Sequence, residues 1–196
     1  MRKKFLKVLI AVLCCVALLT LVVESYLEEQ GNFHVISPGV AYRSAQLDED
    51  EWEHYIKKFH IRSVINLRGS APGKDWYEEE VSTCRRLGVN HYDLRLAPDK
   101  PPSVGEFKEL VKILCTAQRP VLIHCKAGAD RSGLVASIWQ VVVEGLSPSA
   151  ARKQLSIWFG HLPFGSTAVF DTFFEEWSKE NGITWNCGDF THMSRR

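Results

Sequence analysis

The sequence lacks the features that mark several common classes of protein. After the first seven residues there is no run of basic side chains, and the formal net charge is +1, so nothing favours a nucleic-acid partner. The cysteines form no C-x-x-C pair and no cluster with histidines, which argues against a metal site. Internal repeats, low-complexity stretches and long linkers are also missing, so the chain fits one globular domain with a short additional segment.

The additional segment is the N-terminus, where basic side chains precede a run from Val8 to Val23 that contains no charged residue. A helix over residues 5–23 would nearly match the hydrocarbon core of a bilayer, about 30 Å, and we expect it to span a membrane. Because acidic residues follow the run, the positive-inside rule predicts a cytoplasmic N-terminus and an extracytoplasmic domain. The alternative is a cleaved signal peptide and a secreted or periplasmic domain, since Val23 and Ser25 are tolerable at a cleavage site.

The cysteines outside this segment and outside the loop described below have simpler interpretations. Cys84 and Cys115 fall on predicted helices, where we expect them to pack as small buried side chains. Cys187 lies in a polar tail and could pair with another thiol in an oxidising compartment, with its partner left open.

Patterns typical of strands and helices alternate from residue 47 to residue 125. The stretches IRSVINLRG, NHYDLRL and PVLIHC are predicted strands, because they are rich in β-branched residues or alternate polar with apolar side chains. Three predicted helices lie before and between them, with Asp48, Asp75 and Ser103 as N-caps. Gly88 is placed to end the second of these helices.

Three later segments have helical periodicity: RSGLVASIWQVVVEG, SPSAARKQLSIWFG and AVFDTFFEEWSKENG. Strands that alternate with helices, followed by helices alone, predict an α/β fold with a central, mostly parallel sheet flanked by helices. Together with the N-terminal transmembrane helix, this gives three predicted parts: residues 1–31 (segment and short linker), 32–182 (catalytic domain) and 183–196 (tail).

The stretch HCKAGADRSG, residues 124–133, stands at the carboxyl end of the last predicted strand, where α/β folds place their active loops. Here the chain must turn tightly, and Gly128 between the small residues Ala127 and Ala129 lets backbone amides point inward. With the helix N-terminus that follows, these amides predict a phosphate-binding loop. Arg131, in the first turn of that helix, can grip two phosphoryl oxygens.

Cys125 is the predicted nucleophile of this loop. A helix N-terminus and a neighbouring cation favour the thiolate, which can attack a bound phosphate monoester. The attack gives a cysteinyl-phosphate that water then hydrolyses, so the reaction requires no metal. Ser132 could donate a hydrogen bond to the departing thiolate, and His124 could fix the loop through backbone contacts.

HCKAGADRSG resembles the H-C-x5-R-S/T signature of the cysteine-dependent protein tyrosine and dual-specificity phosphatase superfamily. VINLRG and YRSAQL are similar to its atypical bacterial dual-specificity branch, and the resemblance covers residues 33–180. It implies a phosphatase fold, no cofactor, phosphorylated substrates and the roles given above to Cys125 and Arg131. HCKAG also resembles tensin-type lipid phosphatases, in which Lys126 would help to hold an anionic headgroup.

The resemblance also implies a general acid from a loop upstream of the nucleophile, and Asp99 in RLAPDKPPS occupies such a position. That loop lacks the tryptophan of the tyrosine-phosphatase version. Asp130 is the alternative acid, because some phosphoinositide-specific relatives carry an aspartate there; otherwise we assign it to substrate binding with residues 126–129. Arg43 and Arg68 each stand at a strand exit, and whether either points toward the phosphate stays open.

The sequence therefore predicts a phosphomonoester hydrolase of the protein tyrosine and dual-specificity type, attached to a membrane through residues 5–23. The alternatives are a phosphatase of the same fold acting on phosphoinositides or other small phosphates, and a pseudophosphatase that binds phosphorylated partners. A sulfur transferase is a further alternative, although the rhodanese type generally has a shorter spacing to its arginine. The intact Cys125, Arg131 and Ser132 argue against the pseudophosphatase.

Overall fold

A single sheet of five short strands organises the second of the two units into which the chain divides, Met1–Gln30 and Gly31–Arg196. The order of the strands is β1-β2-β5-β3-β4, with β1 antiparallel to β2 and all other neighbours parallel. The predicted α/β fold with a mostly parallel sheet is therefore confirmed. The strands are β1 (His34–Ser37), β2 (Ala41–Ser44), β3 (Ser63–Asn66), β4 (Asn90–Asp93) and β5 (Val121–His124).

The computed structural model describes residues 4–10, 12–15, 18, 31–181 and 187. In the first unit the described residues are helical. No helix in the described part of the chain is both long enough and apolar enough to cross a bilayer. The predicted membrane-spanning helix over residues 5–23 includes positions outside the described residues. Nearly all of the predicted tail, residues 183–196, also lies outside them.

Helices cover both faces of the sheet. Short 3-10 turns over Arg152–Gln154, Ile157–Phe159 and Gly165–Thr167 connect the last two helices. The helices are α1 (Glu49–Phe59), α2 (Asp75–Leu87), α3 (Val104–Thr116), α4 (Asp130–Val142), α5 (Pro148–Ala151) and α6 (Ala168–Asn181).

The predicted helix starts are correct in two of the three cases. Asp48 and Ser103 each form a capping box with the glutamate three residues later. The prediction for Asp75 is wrong, because α2 has Lys74 at its N-cap position without a side-chain cap. Glu78 instead accepts a hydrogen bond from the amide of Gly73 at 2.8 Å, so its carboxylate is occupied by the preceding turn.

The predicted helix over SPSAARKQLSIWFG is also wrong in extent, because α5 has only four residues. The physical reason is a tertiary contact. The carbonyl oxygen of Gln154 accepts a hydrogen bond from the buried Arg43 side chain at 2.7 Å and is therefore diverted to a distant strand. Gly160, at φ +80°, then ends the last 3-10 turn of this segment.

The core lies on both faces of the sheet, because neighbouring residues of a strand point to opposite sides. Ile123 of β5 belongs to a large cluster with α3, α4 and α6, and Leu122 belongs to a smaller cluster with α1 and α2. All four residues of β5 are buried. A strand buried on both faces gives a rigid base for the loop that follows it.

The cysteines divide into bonded and free ones. Cys115 of α3 forms a disulfide with Cys187, with 5.2 Å between their Cα atoms. Cys115 does pack against the core, but its interpretation as a packing residue missed the disulfide, because the sequence does not show that the tail returns to α3. The expectation that Cys187 could pair with another thiol is confirmed. Cys84 is free and buried, as predicted, and Cys125 is also free.

Candidate active site

The segment between β5 and α4 has the strand, loop and helix arrangement predicted for it. We call residues Cys125–Arg131 the nucleophile loop. Cys125 directly follows the last residue of β5, and α4 begins at Asp130. Gly128 has φ +68°, the left-handed conformation that the tight turn requires.

The nucleophile loop packs directly on the end of β2. A Cβ atom at Gly128 would lie 2.5 Å from the backbone nitrogen of Ala45 and 2.7 Å from the carbonyl carbon of Ser44. Such distances are too short for any side chain, and the neighbouring atoms are backbone atoms that cannot move aside. Glycine is therefore required here by space as well as by conformation.

Four consecutive carbonyl groups of the loop accept hydrogen bonds from residues of the first hairpin and its flanks. The carbonyl oxygen of Lys126 accepts from the Gln46 amide at 3.1 Å, and that of Ala127 accepts from Asn32 Nδ2 at 2.9 Å. Arg43 Nη2 donates to the next two carbonyl oxygens, at 2.8 and 2.7 Å. Residues 126–129 therefore turn their carbonyl groups toward the hairpin.

The orientation of the amide groups of the loop follows from this arrangement of the carbonyl groups. In a trans peptide the N–H points opposite to the preceding C=O, so the amides of residues 127–130 point away from the hairpin, into the concave side of the loop. None of the amides of residues 127–130 donates a hydrogen bond to a residue that the structure describes. They form a concave set of free donors of the kind that binds oxyanions.

Arg43 supports the loop from behind and does not reach toward a substrate. Its guanidinium is fully buried, and its carbon lies 4.8 Å from the centre of the Phe159 ring. Burial lowers the pKa of Arg43 to about 10, although the nearby Cys125 and Asp130 partly offset this effect. Arg43 is therefore still a cation at neutral pH, fixed beneath the nucleophile.

Cys125 and Ser132 are close enough for the predicted hydrogen bond to the leaving thiolate. Cys125 Sγ lies 3.6 Å from Ser132 Oγ, and both residues are buried. Burial raises the pKa of the thiol of Cys84, the other buried free cysteine, to about 12, so Cys84 stays a neutral packing residue.

Arg131 lies at the same edge of the sheet. Its Nη1 is 3.4 Å from the carbonyl oxygens of both Leu67, after β3, and Leu96, after β4. The side chain is only partly buried, so its remaining donors are available to an anion.

A buried carboxylate that the sequence did not reveal holds His124, the residue before the nucleophile. Glu80 Oε1 lies 2.9 Å from His124 Nε2 and 2.7 Å from His91 Nε2, and Gln46 Nε2 donates to Glu80 Oε2 at 2.9 Å. Burial alone would raise the pKa of Glu80, but these contacts outweigh it and lower the pKa to about 2. His124 is thus fixed by a side-chain contact in addition to its backbone bond from Leu67.

The two candidate acids have different surroundings. Asp130 Oδ1 lies 2.7 Å from Nδ1 of His161, whose Nε2 lies 2.7 Å from Asp171 Oδ2. Burial alone would lower the pKa of His161, but the two carboxylates outweigh it and raise the pKa. Asp99 is exposed between β4 and α3 and makes no hydrogen bond or ion pair to another described residue. Sequence reasoning gave no reason to connect His161 with the loop.

Of the predicted site residues, the structure brings together Cys125, Arg131, Ser132 and His124, with residues 126–130 around them. Lys126 and Ala127 are exposed at the mouth, while Gly128 and Ala129 are buried. Within the described ranges, no group of three or more potential ligands could hold a metal ion.

This arrangement, on this fold, is the one expected of cysteine-dependent phosphatases. A family profile described as "DSP-PTPase phosphatase fused to NAD+ Kinase" matches residues 22–161, more than half of the chain. The chain belongs to this family, and the superfamily predicted from the HCKAGADRSG stretch is confirmed.

Comparisons with individual proteins agree on the class. The chain is 21% identical over 108 residues to the tyrosine-protein phosphatase cdc-14 of Caenorhabditis elegans, covering 55% of this chain and 14% of the relative. It is 38% identical over 53 residues to the dual specificity protein phosphatase TpbA of Pseudomonas aeruginosa, covering 26% of this chain and 24% of the relative. The chain thus spans a quarter or less of the length of these relatives.

Several solved structures share the fold. The crystal structure of TpbA has a TM-score of 0.57 and 22% identity, over 74% of this chain and 84% of TpbA. The core catalytic domain of SIW14 from Saccharomyces cerevisiae has a TM-score of 0.54 and 18% identity, over 79% of this chain and 96% of that domain.

Proposed function

We propose that the chain is a cysteine-dependent phosphatase that hydrolyses phosphate monoesters through a cysteinyl-phosphate intermediate. The observation that carries this proposal is the nucleophile loop, in which the carbonyl groups of residues 126–129 are hydrogen-bonded and the amides of residues 127–130 are free. Preorganised donors stabilise the charge that develops on a transferring phosphoryl group more than they stabilise the ground state.

The reaction has two steps with balanced bonds. In the first step, the Cys125 thiolate attacks phosphorus, the bond to the ester oxygen breaks, and the leaving oxygen takes a proton from an acid. In the second step, water attacks phosphorus and gives a proton to the conjugate base of that acid, the P–S bond breaks to restore the thiolate, and inorganic phosphate leaves. Arg131 and the amides hold the phosphoryl oxygens in both steps, and Ser132 donates to the departing thiolate.

The substrate class is argued from the related structures and from the side chain at the mouth of the loop. A second structure of TpbA is a complex with phosphotyrosine, and SIW14 is described as a PP-IP phosphatase. We propose phosphorylated proteins as substrates, with phosphoinositides or other small phosphates as the alternative, favoured by the exposed Lys126 at the mouth. A pseudophosphatase would not need the buried thiol at Cys125.

We expect the purified full-length chain to release phosphate from para-nitrophenyl phosphate, because this ester tests the loop without any demand on substrate recognition. Cys125→Ser should abolish turnover, and Cys84→Ser, a matched change of the other buried free thiol, should retain it. The rate of phosphate release, measured for each variant, shows whether Cys125 is the nucleophile. Equal activity of the Cys125→Ser variant and the unchanged chain would contradict the proposed nucleophile.

We propose Asp99 as the general acid, because it is exposed and free to approach a leaving group, whereas Asp130 is engaged by the imidazole of His161. Asp99→Asn should lower kcat for an aryl phosphate with a poor leaving group by about a hundredfold, and much less for one with a good leaving group. Steady-state kinetics over a series of leaving groups measures this difference. If Asp130→Asn shows the dependence instead, the acid is Asp130.

We propose that residues 5–23 anchor the chain in a membrane with the catalytic domain on the extracytoplasmic side. Basic side chains before the apolar run and acidic ones after it support this orientation. The Cys115–Cys187 disulfide supports an oxidising compartment, because disulfides are rare in the reducing cytosol.

In a bacterial host, we therefore expect the full chain to sediment with membranes and to be digested when protease is added to spheroplasts. Mass spectrometry without reduction should find Cys115 joined to Cys187. A protected domain, or reduced cysteines, would contradict the orientation. A soluble product that begins after residue 23 would show a cleaved signal peptide instead.

A further inference from the structure

Two arginines at the edge of the sheet near the nucleophile have no acidic partner. Neither Arg68 nor Arg131 makes an ion pair with a carboxylate among the residues that the structure describes. Arg86 and Arg152, in contrast, each lie within 4.0 Å of two acidic side chains. A guanidinium keeps its charge at any relevant pH, so an unpaired one in a cleft is available for an anionic ligand.

Strand register places Arg68 and Cys125 at the same edge of the sheet. β3 and β5 are parallel neighbours, with Asn66 opposite His124, so the segments that follow the two strands leave the sheet at the same edge. Arg131 Nη1 lies 3.4 Å from the carbonyl oxygen of Leu67, the residue directly before Arg68. The guanidinium of Arg131 therefore lies next to the backbone of the segment that carries Arg68.

Arg68 is held in position by neighbours that leave some of its donors free. Its Nη1 donates to Gln46 Oε1 at 2.7 Å, and its guanidinium carbon lies 3.4 Å from the centre of the Trp76 ring. The Nη2 and Nε atoms of its guanidinium make no hydrogen bond to a described residue. The stacking contact fixes the plane of the guanidinium, so little side-chain freedom is left to lose when an anion binds.

The charges around Arg68 fit such a role. Burial lowers the pKa of Arg68 and Arg131 lowers it further, while Glu80 and Cys125 act in the opposite direction. Gln46, which contacts both Arg68 and Glu80, also donates its backbone amide to the loop carbonyl of Lys126. The fold thus keeps two like charges close together, an arrangement that an anion between them would relieve.

We propose that Arg68, stacked on Trp76 and bonded to Gln46, forms a second phosphate subsite beside the nucleophile loop. It would hold a second phosphate group adjacent to the one that Cys125 attacks, because the free donors of a planar guanidinium match phosphoryl oxygens. This subsite rests on the proposed function, since the first phosphate position is the loop itself. The favoured substrates are accordingly those with two neighbouring phosphates.

The direct test is calorimetric binding of inorganic phosphate and inorganic pyrophosphate to the full-length Cys125→Ser protein in detergent, which removes turnover. Pyrophosphate should bind at least about tenfold more tightly than phosphate. Arg68→Gln should bring the ratio of the two dissociation constants close to one. The matched control is Arg62→Gln, an exposed arginine at the opposite end of β3, which should leave the ratio unchanged.

A second variant protects the test against misfolding of the first. Trp76→Ala keeps the charge of Arg68 but removes the ring that orients it, so the ratio should fall to an intermediate value. If Arg68→Gln and Trp76→Ala both bind the two anions with the original ratio, the subsite is wrong and the phosphatase proposal stands. If neither anion binds the Cys125→Ser protein at all, the nucleophile loop fails as an anion site and both proposals fall.

The second phosphate could belong to a soluble molecule or to a lipid headgroup. Turnover of a bisphosphorylated and a monophosphorylated inositol headgroup, each offered free in solution and as the lipid in vesicles, separates these sources. Arg68→Gln should lower the ratio of kcat/KM for bisphosphate over monophosphate in the arm that contains the natural source. An unchanged ratio in both arms would overturn the proposal.

Discussion

The chemistry of this protein depends on the hydrogen bonds between the first hairpin and the nucleophile loop. The donors come from Asn32, Arg43 and Gln46, and the acceptors are the carbonyl groups of residues 126–129. Because each carbonyl is turned outward, the amides that follow are turned inward, where no described residue uses them. The anion site around Cys125 thus results from contacts made behind the loop.

The contacts that support the nucleophile loop require two charged side chains in the protein interior. Arg43 and Glu80 are both fully buried. Carbonyl oxygens accept hydrogen bonds from Nη1 and Nη2 of Arg43, and two imidazoles and an amide contact the carboxylate of Glu80. A buried charge without such partners would destabilise the fold, so these networks tolerate few substitutions. They hold the residues on both sides of Cys125 in one conformation, as a preorganised site requires.

The sequence predicts features that depend on residues close together along the chain, and it misses those that depend on residues far apart along the chain. The strand, loop and helix around Cys125 and the cap at Asp48 are local, and periodicity with residue type predicts them. The role of Arg43 depends on partners 85 and 86 residues away, and a strand exit leaves the direction of its side chain open. A further hydrogen bond of the same side chain, to the carbonyl oxygen of Gln154, shortened the helix predicted over SPSAARKQLSIWFG. The sequence did contain one signal of a buried role for Arg43, which is an arginine in a strand of otherwise small or apolar residues.

The central claim is that close packing of the loop on β2 creates the anion site, and orthovanadate binding tests it most directly. A Cβ at Gly128 would meet backbone atoms of β2, whereas Gly39 has a similar φ, +72°, with nothing within 4 Å of the added atom. Both Gly→Ala changes place alanine at a similar positive φ, so the difference between them reports the effect of the packing. We predict that Gly128→Ala weakens vanadate affinity by about a hundredfold while Gly39→Ala retains it. Equal vanadate affinity in two folded variants would contradict the account.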